Sequence, residues 1–199
     1  RGMWMTVSTM SARARLLQAI VITLPTNSAL PAVDARRMAL AHLTGKRIVE
    51  MVEEDLKPSD ILTKAAFENA IIANAAVGGS TNAVVHLLAL AGRVGVDLTL
   101  KDFEIGGEIP LLVNCMPSGK YLMEDFCYAG GMPVVLKELK GAGKLRQAGS
   151  VMGKDVATYA DGAECFNSDV IRPFADPLKP AAGLRILRGN LAPDGAIVK

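Results

Sequence analysis

The chain has 199 residues, half of them hydrophobic, which is enough for one sizeable domain, or for one domain and part of another, around a real core. Its 22 basic and 20 acidic side chains leave a net charge of +2 and are scattered, so no nucleic-acid-binding field is implied and a small-molecule or protein partner is expected. No apolar run has the length of a membrane span, because "LLQAIVITLP" is interrupted by Thr23 and stopped by Pro25.

In chain order, residues 8–22 open with Ser and Thr and then place apolar groups at helical spacing, predicting a helix that ends before the loop "TLPTNSALP". The next helix takes Asp34 as its N-cap, breaks near Gly45 and resumes to Leu56, with Pro58 closing it. Ser59, Asp60 or Thr63 can cap a helix that runs into Gly78 and Gly79, and a further helix begins at "STN" and continues to about Ala91. "VDLTLKDFE" reads as a turn with a short helix start, and "IPLLVNC" as a buried strand. A Pro-Gly loop follows, and then helical segments divided at Gly130, Gly131 and Pro133. Beyond residue 165 the texture changes. Pro173, Pro177 and Pro180 cluster, and two β-prone runs, "LRILRG" and "GAIVK", flank "NLAPDG", in which Pro-Asp-Gly reads as the turn between strands. The pattern predicts a helix-rich α/β part over residues 1–165 and the opening of a β-rich part over 166–199, with no internal repeat.

The chain opens without Met and ends on "GAIVK" with no polar tail, which reads as a piece of a longer protein. A β-rich part cut after two short strands leaves sheet edges unpaired, so residues 167–199 are expected to be poorly anchored.

Two local patterns carry candidate chemistry. In "GGSTN" the glycines permit a tight turn, and Ser80, Thr81 or Asn82 can cap the next helix, leaving N–H groups at a positive dipole end where a substrate carboxylate could sit. The plainer alternative is a pair of C-cap glycines followed by an N-cap between two packed helices. In "PSGKYLMEDF", Lys120 could reach an anionic substrate while Glu124, four positions on, holds it; the alternative is a surface ion pair. His86 and His42, each on an apolar helical run, read as satisfied core side chains, and no HxxxH spacing supports a histidine metal site.

In this order, "LPTNSALPAVDARR", "ILTKAAFENAI", "NAAVGGSTNAVVHLLALA", "MPSGKYLMEDF", "YAGGMPVVLKEL", "VIRPF", "PLKP" and "LRGNLAPDGAIVK" resemble the family of dihydroxy-acid, sugar-acid and 6-phosphogluconate dehydratases over nearly the whole chain. "MPSGKYLMEDF" with "YAGG" is most similar to the sugar-acid branch. The resemblance implies an N-terminal α/β domain, a C-terminal β-barrel-like domain, and a chain truncated at both ends. It also implies a hydro-lyase that turns a 2,3-dihydroxy sugar acid into a 2-keto-3-deoxy acid, homo-oligomeric when complete. The alternative is a non-catalytic module keeping only a packing or dimerisation surface.

Family members use an iron-sulfur cluster on three cysteines, a magnesium ion on acidic groups and a modified lysine, and a serine base in the C-terminal domain. Resemblance puts two of the cysteines and most magnesium ligands before Arg1, and the serine and the remaining acidic ligand after Lys199. Opposite the family segment "CMTMGTASTM" stands "RGMWMTVSTM", so Arg1 or Trp4 takes the third cysteine's place. No catalytic residue and no metal ligand is therefore expected in this chain, and Ser80, Thr81, Asn82 and Lys120 remain as substrate-binding candidates. Cys115, Cys127 and Cys165 match no cluster ligand. They read as ordinary buried or partly buried thiols of a cytoplasmic protein.

Overall fold

The computed structural model describes residues 22–199, so the helix expected over residues 8–22 lies almost wholly outside the described residues. The described chain is a mixed structure of helices with a small sheet. Helix α1 (Arg36–Glu53) runs unbroken through Gly45, because a single glycine costs a helix only about 1 kcal/mol and its neighbours keep the ladder intact. Asp34 accepts the Arg36 N–H at 2.8 Å from just before the cap position, which Ala35 occupies. Pro58 does not close this helix. It opens the one-turn helix α2 (Pro58–Ile61), where its missing N–H costs nothing.

Thr63 is the cap of α3 (Lys64–Ala76), its hydroxyl accepting from the Ala66 N–H at 3.4 Å, while Ser59 and Asp60 fall inside α2. Ten of the thirteen residues of α3 are buried, and they lie on all sides of the helix. Such a helix belongs in the middle of a fold. On it pack α4 (Asn82–Val94), the 3-10 helix Leu100–Glu108 and α6 (Gly131–Gly141), while α5 (Met123–Tyr128) and the 3-10 helix Val156–Ala160 pack on α6. Pro133 sits in the first turn of α6 and divides nothing; the break falls at Gly130 and Gly131.

A buried helix must satisfy its polar side chains internally. Asn69, fully buried, does so across the fold: its amide donates to the Arg146 carbonyl at 2.9 Å and accepts the Arg146 N–H at 2.7 Å. The two bonds fasten the chain after α6 to the central helix.

The expected strand at "IPLLVNC" is extended and buried but belongs to no sheet. It forms single bridges, Leu111 with Lys179 and Val113 with Ile171, to a partner segment carrying Pro173, Pro177 and Pro180. Those prolines have no N–H to give, so a continuous ladder cannot form. The sheet is instead the antiparallel hairpin β1 (Arg185–Gly189) and β2 (Ala192–Val198). Its turn is at Asn190 and Leu191. Pro-Asp-Gly, expected as the turn, lies within β2, where the register slips between Leu187–Ala196 and Gly189–Ala192 and Gly195 takes φ +105°. A bulge absorbs the residues that cannot ladder.

Residues 167–199 are held, contrary to the expectation of a loose end. Val170, Ile171 and Ala182 are buried, Ile186 and Ile197 face each other and pack on the core, and Arg185 donates to the Gly107 carbonyl at 2.8 Å. The sequence alone could not show that this segment closes over the first part of the chain. Neither histidine is core: His42 is exposed on α1 and His86 half-buried on α4. Cys115 is buried and Cys127 half-buried, but Cys165 is exposed.

Replacing Asn69 by Ala removes both bonds between the buried Asn69 amide and the Arg146 backbone and should cost about 1–3 kcal/mol of stability. Urea unfolding of the variant checks this, and an unchanged midpoint would show that the clamp carries no weight.

Candidate functional site

The "GGSTN" turn joins α3 to α4. Gly78 N–H donates to Ala75 and Gly79 N–H to Asn74 at 2.8 Å, closing the end of α3. A Cβ at Gly79 would stand 1.8 Å from the Asn74 side-chain oxygen, so only glycine fits there. Thr81 occupies the cap position of α4 but in helical conformation and without a side-chain cap bond; Ser80 Oγ instead accepts the Asn82 N–H at 3.2 Å. Ser80 and Thr81 are half-buried and Asn82 exposed. The Lys199 ammonium donates to the Gly78 carbonyl at 2.9 Å, bringing the last residue of β2's flank onto this turn.

Lys120 lies elsewhere, on a cleft of about 420 Å³ whose lining also includes Asn114, Tyr121, Asp169, Arg172 and Pro177. The cleft is built on Asn114. Its backbone carbonyl accepts from Tyr121 N–H at 2.9 Å, its side-chain oxygen accepts from Lys120 N–H at 3.0 Å, and its amide donates to the Asp169 carbonyl at 3.1 Å. The loop closes this tightly because residue 119 is glycine: a Cβ there would meet Asn114 atoms at 2.5 Å. Ser80, Thr81 and Asn82 do not line this cleft, so the four nominated residues are not brought together in it.

Two cations face the cleft with unequal freedom. Arg172 is held by the Asp176 carboxylate and lies 3.9 Å from Asp169, so its charge is matched within the protein. Lys120 is exposed, its ammonium 5.5 Å from the Tyr121 ring centre, and it forms no ion pair with Glu124 among the described residues. The expected pair fails because α5 begins only at Met123, which leaves Lys120 outside the helix and off its i, i+4 face. Glu124 turns to Tyr128 instead and its charge raises that phenol's pKa. The arrangement suits one anionic group on Lys120, with Asn114 and Arg172 fixing the wall. Asn114 and Arg172 went unnoticed in the sequence; their signal was a polar residue ending a buried apolar run and an arginine inside the apolar "VIRPF".

A second cavity, about 380 Å³ and mainly apolar, lies between α1 and the start of α6 and includes Cys127. Burial raises the pKa of this thiol, with Arg36 opposing. Among the described residues no three His, Cys, Asp or Glu side chains converge as a metal-ligand set. No described helix is long and apolar enough to cross a membrane.

Comparison with known proteins accounts for nearly the whole chain. Residues 1–159 match the family described as dihydroxy-acid/6-phosphogluconate dehydratase N-terminal, and residues 169–199 match its C-terminal counterpart. Over 199 residues the chain is 59% identical to a putative dehydratase, IlvD1, of Rhizobium meliloti (strain 1021), covering all of this chain and 34% of that relative. It is 56% identical over 184 residues to an L-arabinonate dehydratase of Rhizobium leguminosarum bv. trifolii (strain WSM2304), covering 92% of this chain and 32% of the relative. To a dihydroxy-acid dehydratase of Ignicoccus hospitalis it is 49% identical over 186 residues, 92% of this chain and 34% of the relative. The chain thus spans about a third of the length of the curated relatives it matches. With the N-terminal family match running over most of its length, the chain belongs to the dihydroxy-acid/6-phosphogluconate dehydratase family.

Proposed function

We propose that the complete protein is a hydro-lyase acting on a 2,3-dihydroxy sugar acid, and that the chain in hand supplies walls and binding groups rather than the reacting centre. The observation that carries the substrate class is the ranking of identities: 56% and 53% to dehydratases named for L-arabinonate and L-arabonate, against 49% to a dihydroxy-acid dehydratase. In such a reaction the C2 proton and the C3 hydroxide leave, and the resulting enol becomes a 2-keto-3-deoxy acid. Lys120 supplies positive charge for the substrate carboxylate, and the Ser80–Thr81–Asn82 turn supports the wall of the cavity in the complete enzyme. A barrel-like domain continuing from the β1–β2 hairpin would close it.

The family's iron-sulfur cluster and magnesium do not fit the described residues. Cys115 is buried with its thiol 3.6 Å from the Leu122 carbonyl, Cys127 sits in an apolar cavity and Cys165 is exposed 3.5 Å from the Ile171 carbonyl. These thiols do not converge, and cluster binding requires that they do. No step is therefore assigned to either group here. A small-molecule partner and a reducing, cytoplasmic setting complete the reading, the latter resting on three free thiols.

Grafting residues 22–199 in place of the matching segment of the L-arabinonate dehydratase tests the substrate class. The chimera should dehydrate L-arabinonate in preference to a branched-chain dihydroxy acid, and a reversed preference would overturn the assignment. Lys120→Ala in that chimera should raise KM about tenfold with kcat little changed, the mark of uniform substrate binding. The isolated chain, reconstituted anaerobically with iron, sulfide and magnesium, should show no stoichiometric cluster by absorption and iron content and form no keto acid from L-arabinonate or D-xylonate. Stoichiometric cluster with turnover would refute that. Alkylation at about pH 8 should proceed first at exposed Cys165, then at Cys127, whose raised pKa lowers its thiolate fraction, and last at buried Cys115. Peptide mass spectrometry reads the order.

A further inference from the structure

The cleft around Asn114 holds two cations, and the fold neutralises only one of them. Lys120 is exposed and enters no ion pair among the described residues. Arg172 meets two carboxylates, Asp176 in direct contact and Asp169 at 3.9 Å, both on exposed side chains. Neither carboxylate is needed to place the guanidinium. Its Nε donates to the Asp176 backbone carbonyl at 3.2 Å, and the Arg172 backbone N–H donates to the Leu112 carbonyl at 2.8 Å. What the two carboxylates add is negative charge on a side chain that would otherwise be the better phosphate binder of the two cations.

We propose that Asp169 and Asp176 determine specificity: by neutralising Arg172 they fit the cleft to a sugar acid with one anionic group and turn away one that carries a phosphate as well. This rests on the placement of the substrate carboxylate at Lys120. Lys120 and Arg172 bring two positive charges to the cleft, and Asp169 and Asp176 bring two negative ones. A carboxylate seated on Lys120 therefore leaves a net negative surround. At about 420 Å³ the cleft has the size of a small-molecule site, so the far end of a ligand held at Lys120 comes to the Arg172 side. A phosphate monoester there carries about −1.5 to −2 at pH 7 and is repelled by both carboxylates. A hydroxylated end carries no charge, and the Asp169 oxygens can accept from its hydroxyl groups. The ranking of identities points to the acid class, whereas this charge arrangement names the residues that select within it.

The test is an NMR titration of the 199-residue chain with D-gluconate and with 6-phosphogluconate, which differ only in the phosphate, in phosphate-free buffer of low ionic strength. The backbone amides of Lys120, Tyr121 and Arg172 report binding. The chain should bind D-gluconate at least as tightly as 6-phosphogluconate. Asp176→Asn should tighten 6-phosphogluconate about tenfold and change D-gluconate by less than about threefold, and Asp169→Asn should act in the same direction. Adding Arg172→Gln to Asp176→Asn should cancel the gain, because the freed guanidinium is what the phosphate meets. Lys120→Ala should weaken both ligands alike. A native preference for 6-phosphogluconate, an equal gain for both ligands in Asp176→Asn, or a gain that survives Arg172→Gln would each overturn the proposal while leaving the Lys120 seat intact. Amides that neither ligand moves, or affinities unchanged by Lys120→Ala, would remove the seat itself and the proposal with it.

Discussion

From Asn69 to its end the α3 helix has no solvent face, and this one constraint organises the rest of the molecule. A helix buried on every side cannot rely on water for its polar groups or on a single neighbour for its apolar ones, so each flank must be met by a different element. Ala66, Phe67 and Ala70 are fully enclosed, Asn69 clamps Arg146, and the Ala76 carbonyl accepts the Leu112 N–H at 2.8 Å. Emptying the Phe67 site would cost about 3–5 kcal/mol, comparable to the whole margin by which a small domain is folded.

The helix runs out at Gly78 and Gly79, and there the fold turns its central element toward the candidate chemistry. Residues 109–115 lie against that end of α3 through Leu112, and against the later segment through Leu111, Asn114 and the Arg172 N–H donated to Leu112 at 2.8 Å. One extended, buried segment thus touches α3 on one side and the proline-rich run on the other. Its bridges alternate instead of forming a ladder, and the polar residue at its end, Asn114, is left at the surface to organise the Lys120 loop. The cleft exists because a strand-like sequence met a partner that could not ladder with it.

Much of this was written locally and some of it was not. The stops and starts that rest on near neighbours were legible: the Thr63 cap before α3, the start of α4 within "STN" though without a side-chain cap bond from Thr81, the division at Gly130 and Gly131. What failed depended on partners far away in sequence. "IPLLVNC" has the composition of a strand, but whether it enters a sheet is decided by Pro173, Pro177 and Pro180. Pro-Asp-Gly is a good turn in isolation, yet Ile186 facing Ile197 fixes the register and pushes the same residues into a bulge. Lys120 and Glu124 have the right spacing for an ion pair only if both lie on one helix, and the helix starts three residues too late. Family membership was legible for a different reason, because an ordered series of motifs carries more information than any motif alone.

The two nominated sites are joined through the same framework although no single cleft holds both. The Gly78 carbonyl receives Lys199, and a Cβ at Gly78 would strike the Leu111 side chain at 2.8 Å; three residues on, Asn114 holds Lys120. A substitution that loosens residues 111–114 would therefore disturb the "GGSTN" turn and the Lys120 loop together, whereas one confined to the exposed face of α1 reaches neither. The binding groups of this chain are thus positioned from its buried core.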